Sequence, residues 1–223
     1  MNKYVELAKQ ILNLNLEKDI FVDSKVSLDE CISISNEFYN YCFLKEDKIS
    51  VLNNKITIVQ DRKLKSYDGK CMTDEFNLEG ANHVTIKIPH KKSIKRAITI
   101  THEKAHAYHF LNNKQTSEVI PSFLDYMLSK ELDKIYKGIK NNNLNYKITE
   151  VKKAALIYLK YANKNINDEL LVHQINYMLD FINTFVLTIK YEEDSSFIKN
   201  IIKDNIFSDS PDNELHKILK SSF

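Results

Sequence analysis

The sequence predicts a mostly helical α+β fold in which a small antiparallel sheet lies beside one long helix carrying the pattern HExxH. Three observations predict it. Apolar residues recur at helical spacing over most of the chain, and two short β-branched segments alternate near its middle. Glycine and proline number only three each in 223 residues, several-fold below ordinary usage of about 7% and 5%. That leaves too few tight turns for an all-β sandwich or barrel. With 43% hydrophobic and 28% charged residues, the chain has the composition of a globular protein able to bury a core. It is expected to form a single domain over residues 1–223.

The elements follow in chain order. Residues 1–49 are read as N-terminal helices: Tyr4, Leu7, Ile11 and Leu14 share one face, and Ser27 with Glu30 forms a capping-box pattern ahead of a segment reaching Cys42. Residues 50–90 are read as the sheet, with two or three antiparallel strands. Lys55–Gln60 and His83–Ile88 alternate, Asp68-Gly69 signals a turn between them, and Pro89 ends the second strand. Helices resume at 93–112 and 117–140 within the region 91–140. The C-terminal helices of 141–223 are expected at 147–163, 167–191, 195–207 and 211–221. Asn141-Asn142-Asn143 reads as a break, and Ser210-Pro211 as a cap with proline at the first helical position.

Several function classes are disfavoured at once. Gly69, Gly80 and Gly138 lie too far apart for a dinucleotide loop, a phosphate loop or a nucleophile elbow. The net charge is +2, lysines alternate with acids, and only Arg62 and Arg96 are arginine, so no nucleic-acid partner is expected. The longest apolar stretch, near Phe185–Ile189, falls far short of the roughly 18 residues of a membrane span, so no membrane partner is expected either. Cys31, Cys42 and Cys71 show no CxxC spacing and are read as free thiols of a reducing compartment. Lys3, Glu6 and Lys9 interrupt the N-terminal apolar residues, which gives no secretory leader pattern. A cytoplasmic protein is expected.

The chemistry concentrates in Thr99–His106, which contains His102-Glu103-Lys104-Ala105-His106. On a helix, residues four apart project from one face about 6 Å apart along the axis. Two imidazoles there can take two corners of a tetrahedral zinc site. Glu103 then points beside the ion and is placed to accept a proton from water. A strand, a short loop and this helix make the arrangement a zinc peptidase uses, with the strand's free edge lining the substrate groove. His109 lies about 10 Å along the axis from His102, too far to share one ion on a straight helix, and is read as a packed or supporting histidine. It also stands where a metzincin has its helix-breaking glycine, which argues against that class. The better third ligand is Glu118, beyond the polar loop Asn112–Gln115 at the start of the next helical segment, where Thr116 or Ser117 can cap. As a first-turn acid, Glu118 could instead simply complement the helix dipole. Asp125 is the next acid on that segment, and Pro121 must sit in the first turn or kink the helix.

HEKAHAYH followed by SEVIPSFLD resembles the zinc-binding segment of the thimet oligopeptidase and oligoendopeptidase F family. That family carries HExGHxxH and then a glutamate ligand in a Glu-Val-containing helix. Gly69-Lys70, the His83–Ile88 strand and the Ile98–Thr101 approach fall where the family has a Gly-Lys turn, a strand and a Thr-Leu lead-in. Ala105 replaces the family's glycine, the loop to Glu118 is shorter, and the chain is far shorter than a full-length member. The resemblance implies a zincin-like core and one Zn²⁺ per chain, held by His102, His106 and Glu118. It implies Glu103 as general base in hydrolysis of a peptide or protein substrate. It also points to the late segment His173-Gln-Ile-Asn-Tyr177, with Tyr177 donating to the transition state and His173 contacting substrate, although Tyr177 equally fits a core aromatic.

Two further readings stand beside this one. The small metallopeptidases that cleave phage-type repressors also follow HExxH with a glutamate-bearing helix. A non-enzymatic helical interaction module could keep the same fold. His83, His90 and His216 read as surface or strand-end residues, Phe181, Phe185 and Ile189 as helix core, and Lys91-Lys92 with Lys95-Arg96 as a solvated basic face.

Overall fold

A computed structural model describes residues 3–43, 47–73, 76–77, 80–112, 117–162 and 168–207. The expected helix at 211–221, the Ser210-Pro211 cap, His216 and Thr116 lie outside the described residues. Helix α1 spans Lys3–Leu12, α2 Leu28–Phe43 and α3 Asp47–Asn53. The capping reading at the start of α2 holds, since the Glu30 amide donates to Ser27 Oγ at 3.2 Å. Strands β1 (Ile56–Asp61), β2 (Lys70–Thr73) and the two-residue β3 (Phe76–Asn77) and β4 (Gly80–Ala81) precede β5 (Val84–Pro89). Then come α4 (Lys95–Leu111), α5 (Val119–Leu132), α6 (Ile139–Tyr161), α7 (Asp168–Glu193) and α8 (Ser195–Phe207). The fold is a mostly helical α+β arrangement, and no described helix is long and apolar enough to cross a membrane.

The sheet corrects the expected topology. It is mixed, with order β1-β5-β2: β1 runs parallel to β5 and β2 antiparallel to it. The turn around Asp68-Gly69 does reverse the chain between β1 and β2, but those strands are not neighbours. β5 occupies the space between them and therefore runs with β1. The central position suits its sequence, because Val84, Ile86 and Ile88 are fully buried. A second correction follows: β5 has no free edge, and the edge nearer the site helix belongs to β2.

The break before α6 also lies elsewhere than expected. α5 stops at Leu132, and Gly138 precedes α6 with φ of +87°, a left-handed conformation that glycine adopts freely. Asp133 Oδ1 accepts the Gly138 and Lys140 amides at 2.9 and 3.1 Å, capping the new helix. Asn141–Asn143 lie inside α6, where the Asn142 side chain serves tertiary contacts. Asn142 accepts from Tyr67 at 2.9 Å and donates to Asp19 at 2.6 Å. Such bonds hold the extended segment after α1, in a region expected to be helical.

α4 lies at the centre of the principal core. It contacts β5 and β2 on one side, α2 on another and α5 on a third, and its Ile98, Ile100, Ala105 and Tyr108 are fully buried or nearly so. A smaller cluster joins α1, α6 and α7 through Ala8, Val151, Tyr158 and Met178. α5 packs directly on α4, and α6 and α7 pack in turn on α5.

Candidate metal centre

One helical turn separates His102 and His106 on α4, and their ring centroids lie 5.0 Å apart at 66°. Glu118 immediately precedes α5, where the chain returns beside α4. Pro121 falls in the first turn of α5, where its missing amide costs no helical hydrogen bond. The Val119 amide donates to Ser117 Oγ at 3.4 Å, and the Glu118 amide donates to Asp180 Oδ2 of α7 at 3.0 Å. Fixed in this way, the Glu118 carboxylate faces both imidazoles. Oε2 is 3.2 Å from His102 Nε2, and Oε1 is 3.3 Å from His106 Nε2.

These separations can be tested against two alternatives. A charge-assisted N–H···O bond would be about 2.7–2.9 Å long. Ligand atoms around one tetrahedral ion with bonds near 2.0–2.1 Å lie roughly 3.3 Å apart. The observed values, one to each carboxylate oxygen, sit at the long end of hydrogen bonding and also fit ligand spacing. One ligand atom from each of His102, His106 and Glu118 falls within 4.8 Å of the others, so this trio could hold a single metal ion. Two neutral imidazoles and a carboxylate form a donor set suited to zinc.

The opposite nitrogen of His102 is held differently. Nδ1 lies 2.9 Å from Asp125 Oδ2, which also accepts Lys147 Nζ at 2.8 Å. Burial raises the Asp125 carboxyl, but Lys147 and His102 outweigh it and hold the group below its ordinary range. Asp125 is therefore an ionised acceptor, His102 donates from Nδ1, and Nε2 is turned toward Glu118. With no ion bound, burial disfavours the His102 imidazolium, yet Asp125 pushes the group up to about 10. At neutral pH, a metal ion binding at Nε2 would have to displace a proton from this ring. Glu118 has the complementary shift: burial raises its carboxyl, but hydrogen bonding to the two histidines holds it well below the ordinary range.

Glu103 lies beside the trio and is 7% exposed. Burial raises its pKa, offset in part by His102 and His106, which makes the carboxylate a better proton acceptor. The β1–β2 connection closes over it at Gly69. A Cβ there would come within 2.3 Å of Glu103 Oε1 and 2.6 Å of Cγ, so glycine is what allows the loop to approach the acid.

These residues open on a cavity of about 570 Å³. Tyr177 is in its wall, as are Tyr67 and Tyr146. Tyr67 donates to Asn142 at 2.9 Å and Tyr146 to Asp68 at 3.0 Å, whereas no described residue hydrogen-bonds the Tyr177 hydroxyl. Burial pushes Tyr177 up to about 12, so it carries its proton at neutral pH. His173, one turn earlier on α7, is exposed and does not line the cavity. His109 is buried in α4. Sequence reasoning noted Asp125 only as an acid near Glu118 and gave Lys147 no role. Both were hidden because their pairing depends on α6 docking against α5. Comparisons with protein families, with curated proteins and with solved structures give no match to this chain, so the functional reading rests on the geometry.

Proposed function

We propose that the chain is a zinc-dependent peptidase with a zincin-like core, hydrolysing peptide bonds in the cavity between α4, α5 and the β1–β2 connection. The observation that carries this reading is the HExxH pair converging with Glu118 at ligand spacing while Glu103 lies alongside in a cavity open to substrate. When bound, zinc would supply a Lewis acid for the scissile carbonyl and acidify the attacking water. His102, His106 and Glu118 would hold the ion, and Asp125 with Lys147 fixes the His102 ring. Glu103 takes the proton from the attacking water and returns it to the leaving amine. Tyr177 donates a hydrogen bond to the oxygen on which negative charge develops. The unpaired Cys31, Cys42 and Cys71 suit a reducing, cytoplasmic setting.

Metal analysis and a fluorogenic peptide library test the proposal together. Wild-type chain is expected to bind about one zinc and to cleave peptides. Glu103→Gln should keep the zinc and lose about 10²- to 10⁴-fold in rate, the contribution of a positioned general base. Glu118→Ala should lose both zinc and cleavage while retaining its circular dichroism. Wild-type cleavage in Glu103→Gln, or full zinc occupancy in Glu118→Ala, refutes the assignment.

A further inference from the structure

The apolar stripe on α7, expected to be helix core, is partly exposed. Tyr177, Phe181, Phe185 and Ile189 recur every four residues on one face, and Phe185 and Ile189 are 55% and 47% exposed. All four line a second cavity of about 310 Å³ between α5, α6 and α7. Glu118, Lys147 and Tyr177 line both this cavity and the one at the metal centre, so the two spaces meet at the site. From Tyr177 to Ile189 the stripe runs roughly 18 Å along the helix. Its far end closes on engaged charges. Lys140 Nζ lies 5.2 Å over the Tyr126 ring, the Tyr126 hydroxyl donates to Glu192 at 2.5 Å, and Lys130 pairs with Glu192 at 2.6 Å.

We propose that this groove receives a bulky aliphatic or aromatic side chain from the substrate residue flanking the scissile bond. The inference rests on the hydrolytic reading of the adjoining site and names the substrate class it selects. An apolar wall that begins at a zinc ligand and at the proposed transition-state donor holds a side chain only a few bonds from the reacting carbonyl. Burying a leucine or phenylalanine side chain favours it over alanine by about 10- to 100-fold. A charged side chain would lose its water against this apolar wall, and the charges around it are largely engaged: Lys130 with Glu192, Lys147 with Asp125, and Lys140 over the Tyr126 ring.

Alanine-rich fluorescent hexapeptides with phenylalanine, leucine, alanine or aspartate at one central position test this. Anisotropy measures their binding to zinc-loaded Glu103→Gln chain, and mass spectrometry locates their cleavage by wild type. Phenylalanine and leucine peptides are expected to bind at least tenfold more tightly than the others and to be cut beside that residue. Phe185→Asp and Ile189→Asp, both at exposed positions, should abolish the preference and retain zinc. Equal binding across the set, as would follow if a second copy covered the stripe, overturns the inference. A preference that survives both variants, or cleavage without selectivity, overturns it too. Selective binding that Phe185→Asp removes, with no cleavage by wild type, supports the groove and refutes only the hydrolytic reading.

Discussion

On the side of α4 that faces α2, Thr101 Oγ1 donates to Ser35 at 2.9 Å and the Tyr39 hydroxyl to the Thr101 carbonyl at 2.8 Å. Lys104 donates to Asn36 and, at 3.0 Å, to Asn53, which also accepts Tyr108 at 2.8 Å. On the side that faces the cavity, His102 makes one ordinary hydrogen bond, to Asp125, while both histidines lie 3.2–3.3 Å from Glu118. Both sides are polar, so composition does not separate them. On the α2 side, polar groups meet at hydrogen-bonding distance. On the other, the spacing would admit a shared metal ion, and a cavity lies alongside. The first arrangement stabilises the helix. The second is the one on which the proposed chemistry rests, and the two sides should respond differently to substitution.

Crowding the cavity side gives the largest expected effect. Gly69→Ala should push the Glu103 carboxylate aside and lower kcat by about 10²-fold, the cost of an ångström-scale misplacement, while zinc content stays at wild type. A wild-type kcat would show that the loop gives way instead. Next, Asp125→Asn should weaken zinc about 10- to 100-fold by loosening the orientation of His102, read by competition with a chromogenic chelator. Unchanged affinity would remove Asp125 from the site. On the α2 side, Lys104→Met should leave zinc stoichiometry intact and cost about 1–3 kcal/mol in urea unfolding, since it removes the donor to Asn36 and one of two to Asn53. Zinc loss in this variant would mean that the two sides are not separable. The smallest effect is expected at Arg96. It is 1% exposed and donates to the Val26 carbonyl, it adjoins the Cys31 thiol, and no carboxylate among the described residues pairs with it. Arg96→Met should change stability by less than about 1 kcal/mol, as replacing a poorly compensated buried charge often does; denaturant midpoints measure it.

What could be read in advance was mainly local. His102 and His106 were legible because helical periodicity alone puts them on one face. Glu118 was legible because a short loop limits where the next helix can start. The HVTIKI segment announced a strand but not its neighbours. Asp68-Gly69 marks a reversal without saying which strand enters beside it, so the parallel pairing of β1 and β5 was missed. Asn141–Asn143 looked like a break because the tertiary partners of Asn142, Tyr67 and Asp19, are remote in sequence. The Phe181, Phe185 and Ile189 stripe has the periodicity of a core face, and nothing in its spacing reveals that the facing helices leave a groove. Tyr177 and His173 share one face by spacing, yet one lines the cavity and the other is exposed, because the walls at that height are supplied by α5 and α6.

The bond from the Glu118 amide to Asp180 has a consequence for the order in which the protein becomes active. His102 and His106 acquire their mutual placement as soon as α4 forms. Glu118, the proposed third ligand, is steadied by Asp180 of α7, 62 residues further along the chain. During synthesis, a chain that has emerged only through α5 presents two imidazoles and an unanchored carboxylate. On the proposed reading, hydrolytic capability would therefore arrive late, with the docking of α7, and a partly folded chain would be a poor peptidase toward its neighbours.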